Sequence, residues 1–130
     1  MTIFEKIIAR EIPAQIVYED DTCVAFMDVN PVQRGHLLVV PRQAIDQFDE
    51  LDDATTAHIF TVASHISKRL REAFNTPRCA LLVAGYGVPH AHIHVFPTRS
   101  EADIRPEPTL KLSDEELAAD AQKVRDALGR

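Results

Sequence analysis

The stretch Val88-Pro89-His90-Ala91-His92-Ile93-His94-Val95-Phe96-Pro97 carries three of the chain's six histidines, spaced two apart with small or apolar residues between them. Successive side chains on a β-strand point to opposite faces. The spacing therefore predicts a strand from His90 to Phe96, with His90, His92 and His94 in a row on one side and Ala91, Ile93 and Val95 packed on the other. Three adjacent imidazoles are a costly core filling, because each brings a donor and an acceptor that need partners. A merely polar, solvent-facing strand has no need of histidine, since Ser, Thr or Lys would serve equally well. A metal site is the serious competitor, because histidines at i and i+2 can both ligate zinc, yet no Cys/His or carboxylate cluster nearby completes such a site. Nucleophilic and acid–base chemistry is the favoured reading. One neutral imidazole can attack an electrophile while another protonates the leaving group, and both titrate near neutrality.

The segments around this stretch set the fold class. Cys79 to Val83 reads as the preceding strand, separated from the histidines by Gly85-Tyr86-Gly87. Ile16-Val17-Tyr18 and Cys23 to Met27, joined across Glu19-Asp20-Asp21, read as a hairpin, and His36 to Val40 as a short strand stopped by Pro41. From Asp53 to Asn75 the apolar positions Ile59, Val62, Ile66, Leu70 and Ala73 recur at helical spacing until Thr76-Pro77. A second helix closes the chain, opened by a Ser113–Glu116 capping box with a Leu112–Leu117 staple. Its stripe is Leu117, Ala121, Val124 and Leu128, and Gly129 follows it. Hairpins with one long helix, rather than regular strand–helix alternation, predict an α+β fold of about five strands. His58 and His65 flank the apolar stripe of the long helix and are expected to face solvent.

Composition narrows the function. A chain of 130 residues, 45% hydrophobic and 26% charged, is expected to form one soluble domain. Its formal net charge of -6, without a Lys/Arg cluster, argues against a nucleic-acid polymer or an anionic membrane as partner, though a small anion can still bind locally. The charged start MTIFEKIIAREIP is no signal peptide and no apolar run is long enough to span a membrane, so the cytoplasm is the expected compartment. Cys23 and Cys79 fit neither a redox pair nor a zinc knuckle and read as reduced packing residues.

His90-Ala91-His92-Ile93-His94-Val95-Phe96 resembles the His-φ-His-φ-His-φ-φ signature of the histidine triad family, nucleotide-binding hydrolases and transferases that include the Hint and Fhit branches. Four further blocks are similar to the Hint branch and in its order: Ile3 to Ile8 with Glu11-Ile12-Pro13, Tyr18 to Asp21, Ala25 to Pro31, and Gly35 to Pro41. The resemblance covers residues 2–97 and implies a single domain of that family over 1–130, with a C-terminal helical extension from about 98. It also implies roles. His92 would be the nucleophile that attacks the α-phosphorus of a nucleotide, and His94 the candidate proton donor beside the scissile bond. His90 and His36 would line and orient the site. Asp28 would take the ribose hydroxyls, and Ile3, Phe4, Ile7, Phe26 and Val29 would clamp a purine, although residue type alone reads these five as ordinary core. Physical chemistry adds that phosphate needs donors, which protonated histidines and main-chain N–H groups of the Gly85-Tyr86-Gly87 turn would supply, with Gly87 and Val88 taken as nucleotide-binding positions.

Departures from the family pattern matter as much. Many relatives carry Asn on the strand before the triad and Gln-Ser in a longer loop, whereas Val83 to Pro89 here has none of these side chains. Some members bind structural zinc where this chain has Thr2, Glu5 and Ala44, so no metal or other cofactor is expected. Two functions stay open: cleavage at the α-phosphate of purine nucleoside phosphoramidates or dinucleoside polyphosphates, and a purine-nucleotide-binding module with little turnover. A homodimer is expected, because the resemblance implies pairing and because a five-stranded sheet leaves edges that a symmetric partner covers.

Overall fold

The computed structural model describes residues 1–129. Its strands are β1 (Ile16–Glu19), β2 (Cys23–Met27), β3 (Leu37–Pro41), β4 (Arg78–Leu82) and β5 (Ile93–Thr98); its α-helices are α1 (Ile3–Ile8), α2 (Asp53–Phe74) and α3 (Asp114–Leu128). The strands form one antiparallel sheet in the order β1-β2-β3-β5-β4, so the α+β expectation holds.

Every residue of β2 and β3 is buried, because helices cover both faces of the sheet. On one face Cys23, Ala25, Met27, Leu37, Val39, Ile93 and Val95 pack with Ile59, Val62, Ile66 and Leu70 of α2 and with Ala121 and Val124 of α3. On the other, Val24, Phe26, Leu38 and Val40 pack with Phe4 and Ile7 of α1. Neighbouring strand residues thus serve opposite cores, and His94, whose partner across the β3–β5 ladder is Leu38, falls on the α1 face.

Local chemistry sets the helix ends. Asp52 caps α2 by accepting from the Thr55 N–H, and Asn75 ends it in the left-handed region at φ 52°. The Ser113–Glu116 capping box opens α3 as expected, and Gly129 is its C-cap. Helix α1 has no counterpart in the sequence reading, although Thr2 and Glu5 form a reciprocal capping box at its start. Six residues are too few for a helical period to register.

Several contacts fix the loop that delivers His36. Gly35 adopts φ +89°, and a Cβ there would stand 2.8 Å from the Phe74 ring, so glycine serves both the turn and the close approach of α2. The neighbouring Arg34 forks onto buried Asp120 of α3 at 2.6 and 2.9 Å, and the Leu110 N–H donates to the Pro31 carbonyl at 2.7 Å.

Two histidines outside the triad part company. His65 is exposed as expected, but the half-buried His58 ring lies 2.6 Å from the Asp20 carboxylate, which corrects its solvent-facing assignment. The reason is the β1–β2 turn: Asp20 Oδ1 accepts from the N–H groups of Thr22 and Cys23, and its other oxygen accepts from the Tyr18 hydroxyl and faces His58. Burial would raise the Asp20 carboxyl, but these hydrogen bonds outweigh it and hold the group well below the usual carboxylate range. Both cysteines are free, and burial pushes the Cys23 thiol up to about 12. Among the described residues no helix is long and apolar enough to cross a membrane.

Candidate active site

β5 starts at Ile93, so His90, at the end of a bend, and His92 lie just before the strand rather than within it. There the His90 N–H turns back to the Val88 carbonyl at 2.8 Å and the Ala91 N–H donates to Ile45 at 2.7 Å. The alternation persists even so: Ala91 packs with Ile93 and Val95 in the core under α2, while His90 and His92 both meet the Phe4 ring of α1, but the three imidazoles do not all open on the cavity. His90 is fully buried and does not line the cavity: its Nε2–H donates to the Pro41 carbonyl at 2.8 Å, and its Nδ1 faces the Thr2 hydroxyl at 3.4 Å. The third open imidazole is instead His36, just ahead of β3. Ring centroids are 4.9 Å apart for His92 and His94 and 5.2 Å for His36 and His94.

The hydrogen bonds decide where each proton sits. His92 Nδ1 lies 2.7 Å from the His90 carbonyl, which can only accept, so Nδ1 carries the hydrogen and Nε2 keeps its lone pair. His36 Nδ1 accepts from the Val32 N–H at 3.1 Å, which leaves the proton on Nε2. That proton points at His94 Nδ1, 3.0 Å away. His94 Nδ1 is therefore an acceptor, and its own N–H is Nε2–H. One ring offers a lone pair, and its neighbour offers a hydrogen.

Burial keeps the group uncharged. It lowers the pKa of His36, against the pull of Asp28, and lowers that of His92 despite the hydrogen bond to His90. For His94, burial acts together with the neighbouring imidazoles of His36 and His92, and the pKa falls to about 4. At neutral pH the open imidazoles are neutral bases.

A cavity of about 580 Å³ lies above them. Asp28, His36, His92 and His94 supply polar wall, and Ile3, Phe4, Val29, Gly87 and Val88 also line it. Ile7 and Phe26 do not: both are buried behind Phe4, whose ring meets Phe26 edge-on at 5.4 Å and His92 edge-on at 4.9 Å. The expected apolar clamp is thereby narrowed, because α1 points Phe4 and Ile7 at the sheet and leaves Ile3 half exposed at the mouth. Asn30, Val32 and Arg105 also reach the cavity and were not singled out from the sequence, and Tyr86 reaches it from the glycine turn. None of them belongs to the histidine signature, and Arg105 lies beyond the blocks that carry the resemblance.

Asp28 has a second neighbourhood. Its Oδ1 accepts from the Asn30 N–H at 2.8 Å, while Oδ2 stands 3.5 Å from His36 Nε2 and 3.9 Å from His94 Nδ1. Donor atoms of Asp28, His36 and His94 all lie within 4.8 Å of one another, a set that could hold a metal ion. This corrects the expectation that no carboxylate stands near enough to the triad, since folding closes a separation that the sequence hides. The family's structural zinc position is different. Thr2 and Glu5 are occupied in the α1 capping box, and Ala44 offers no donor, so these residues do not fit that ion.

Comparison with known proteins gives the family and the fold. A family model described as the HIT domain matches residues 9–101. An uncharacterized HIT-like protein of Methanocaldococcus jannaschii is 39% identical over 107 residues, covering 79% of this chain and 82% of the relative. The crystal structure of a Hit-like protein from Bartonella henselae superposes with a TM-score of 0.86 at 32% identity, over 97% of this chain and 95% of the other. A hypothetical histidine triad nucleotide-binding protein from Sulfolobus tokodaii gives a TM-score of 0.86 at 27% identity, over 97% and 91% of the two chains. With the signature intact in the sequence and the family model spanning most of it, this chain belongs to the histidine triad family.

Proposed function

We propose that the protein is a nucleotide hydrolase or transferase that cleaves at the α-phosphate of purine nucleoside phosphoramidates or dinucleoside polyphosphates. The observation that carries this reading is the fixed tautomer of His92: the bond from its Nδ1 to the His90 carbonyl leaves an unprotonated Nε2 beside His94 at a cavity wall. A neutral imidazole approaches an anionic phosphorus centre without charge repulsion and leaves readily from the adduct. In the first step His92 Nε2 forms a bond to the α-phosphorus, and the bond to the leaving group breaks with its electron pair. The bound phosphate, an anion beside the ring, raises the His94 pKa so that the ring is charged in the complex; this imidazolium gives its Nε2 proton to the leaving group and returns to the neutral form. Water then attacks the nucleotidyl-histidine, gives its proton to His94 and releases the nucleoside monophosphate. His36 orients His94 by donating to its Nδ1, and His90 orients His92 through its carbonyl.

Incubation with adenosine phosphoramidate and a panel of dinucleoside polyphosphates tests the reading, with nucleoside monophosphate as the expected product. Tight binding without product from any of them supports the second reading, a purine-nucleotide-binding module. That alternative has its own support in the absence of Asn, Gln and Ser from residues 83–89.

Asp28 is assigned to the ribose hydroxyls, with Ile3, Phe4 and Val29 around the base. Asp28→Ala is expected to weaken ribonucleotide binding by about 10- to 100-fold, the loss expected for hydrogen bonds to a charged group, and to change binding of the 2′,3′-dideoxy analogue far less. Equal losses in a calorimetric titration would remove Asp28 from the ribose.

We further propose a cytoplasmic homodimer of a single HIT domain, residues 1–130, that works without metal. β4 is a sheet edge, paired only with β5, and exposes Leu81 and Leu82, while α2 exposes Phe60. Pairing of these surfaces about a two-fold axis would cover both. Sedimentation is expected to give a dimer at micromolar concentration; a monomer contradicts the assignment.

A further inference from the structure

The reaction proposed above brings an anion to walls that already hold the Asp28 carboxylate and three imidazoles that burial keeps neutral. The side chains that contact phosphate in many relatives are missing from residues 83–89. One permanent cation lines the same cavity among the described residues, and that is Arg105, next to Pro106 in the segment between β5 and α3.

Arg105 is held at the rim rather than carried on a loose tail. Its Nη1–H donates to the Ala102 carbonyl at 2.8 Å, within the short 3₁₀ helix Glu101–Asp103. The segment is tied again where the Leu110 N–H meets the Pro31 carbonyl, between the wall residues Asn30 and Val32. Asp103 is the nearby counter-charge, but its Oδ1 stands 3.8 Å from Nη1, beyond hydrogen-bond distance, and its Oδ2 accepts from the Arg99 N–H at 2.8 Å. A guanidinium carries five N–H donors in a planar fork that matches phosphate, and Ala102 takes only one side of it.

We propose that Arg105 forms an anion subsite at the rim of this cavity, receiving phosphate beyond the scissile bond. The protein then prefers substrates whose leaving group is itself a phosphate, such as nucleoside di- or triphosphates and dinucleoside polyphosphates, over those that release a neutral amine. This rests on the nucleotide reading of the cavity but adds a residue and a choice of leaving group that the histidines do not set. Apolar wall holds the nucleoside; Arg105 answers the charge that the rest of the site lacks.

Binding of adenosine, AMP and ADP to wild type, Arg105→Gln and Arg105→Lys separates the two claims. Wild type is expected to bind ADP more tightly than AMP by about tenfold, the strength of a charge-assisted bidentate contact. Arg105→Gln should erase that gain and leave adenosine and AMP within about twofold, while Arg105→Lys, which keeps the charge, should retain part of it. In kinetics, Arg105→Gln should lower kcat/KM about tenfold for a diadenosine polyphosphate and change it little for adenosine phosphoramidate. An ADP preference that survives Arg105→Gln, or an equal loss of adenosine binding, overturns the anion subsite and leaves the nucleotide reading standing. A wild-type protein that binds none of the three overturns both.

Discussion

His92→Ala is expected to lower turnover by about 10⁴-fold or more, while nucleotide affinity stays within about threefold of wild type. The large loss follows because the other open imidazoles are differently committed: His36 Nδ1 accepts from Val32, and His94 Nδ1 faces the His36 donor. Neither ring has an Nε2 lone pair to replace that of His92. Affinity survives because Ile3, Phe4, Val29 and Asp28 form other parts of the wall. His92 is itself buried against Phe4, so His92→Gln is the companion variant that keeps more of the side-chain volume. Single-turnover kinetics and calorimetry on both variants read the two quantities separately. Retained turnover, or binding lost in step with turnover, contradicts the nucleophile role. The pH profile carries the same signature: protonating His92 consumes its lone pair, and burial lowers its pKa from 6.5, so the acid limb of kcat/KM should lie below 6.5.

His94→Ala is expected to depend on what leaves. With adenosine phosphoramidate, whose amine needs a proton, the loss should be about 10²- to 10⁴-fold, the usual worth of a positioned acid. With a nucleotide carrying fluoride or a fluorogenic phenol, the leaving group departs without a proton and the variant should work at close to the wild-type rate. His94 suits this role because His36 fills its Nδ1 and leaves Nε2–H as its donor. Its free-state value of about 4 means that the bound anion must help to charge it, so the general-acid role belongs to the complex rather than to the empty site. Equal loss on every leaving group, measured across such a panel, contradicts the assignment.

Strong periods made much of the architecture readable. The stripe Ile59, Val62, Ile66 and Leu70 marked α2 to within a residue at its C-terminus, and Ser113 with Glu116 marked the start of α3. Strand order was not readable in this way, because β3 pairs with β5 across an intervening helix and strand. Helix α1 escaped because one capping box and two inward residues, Phe4 and Ile7, make too short a pattern. In the site, the period-two spacing correctly placed His90, His92 and His94 on the α1 face, but it could not show that His90 is buried against Phe4 and the Pro41 carbonyl, away from the cavity. Residue type could not separate Phe4, which lines the cavity, from Phe26, which packs behind it, since both are buried aromatics. The approach of Asp28 to His36 and His94, and the arrival of Arg105 from the segment after β5, are products of tertiary closure.

In the proposed mechanism His92 Nε2 takes the nucleotidyl group. Intact-protein mass spectrometry tests it, using wild type quenched in alkaline denaturant within one turnover of adenosine phosphoramidate, because a phosphorus–nitrogen bond survives base better than acid. The expected result is a protein heavier by one adenylyl group, with the added mass mapping to the peptide that contains His92 and absent from His92→Gln. Product formed with no adduct at any quench time, or an adduct that persists in His92→Gln, would contradict it.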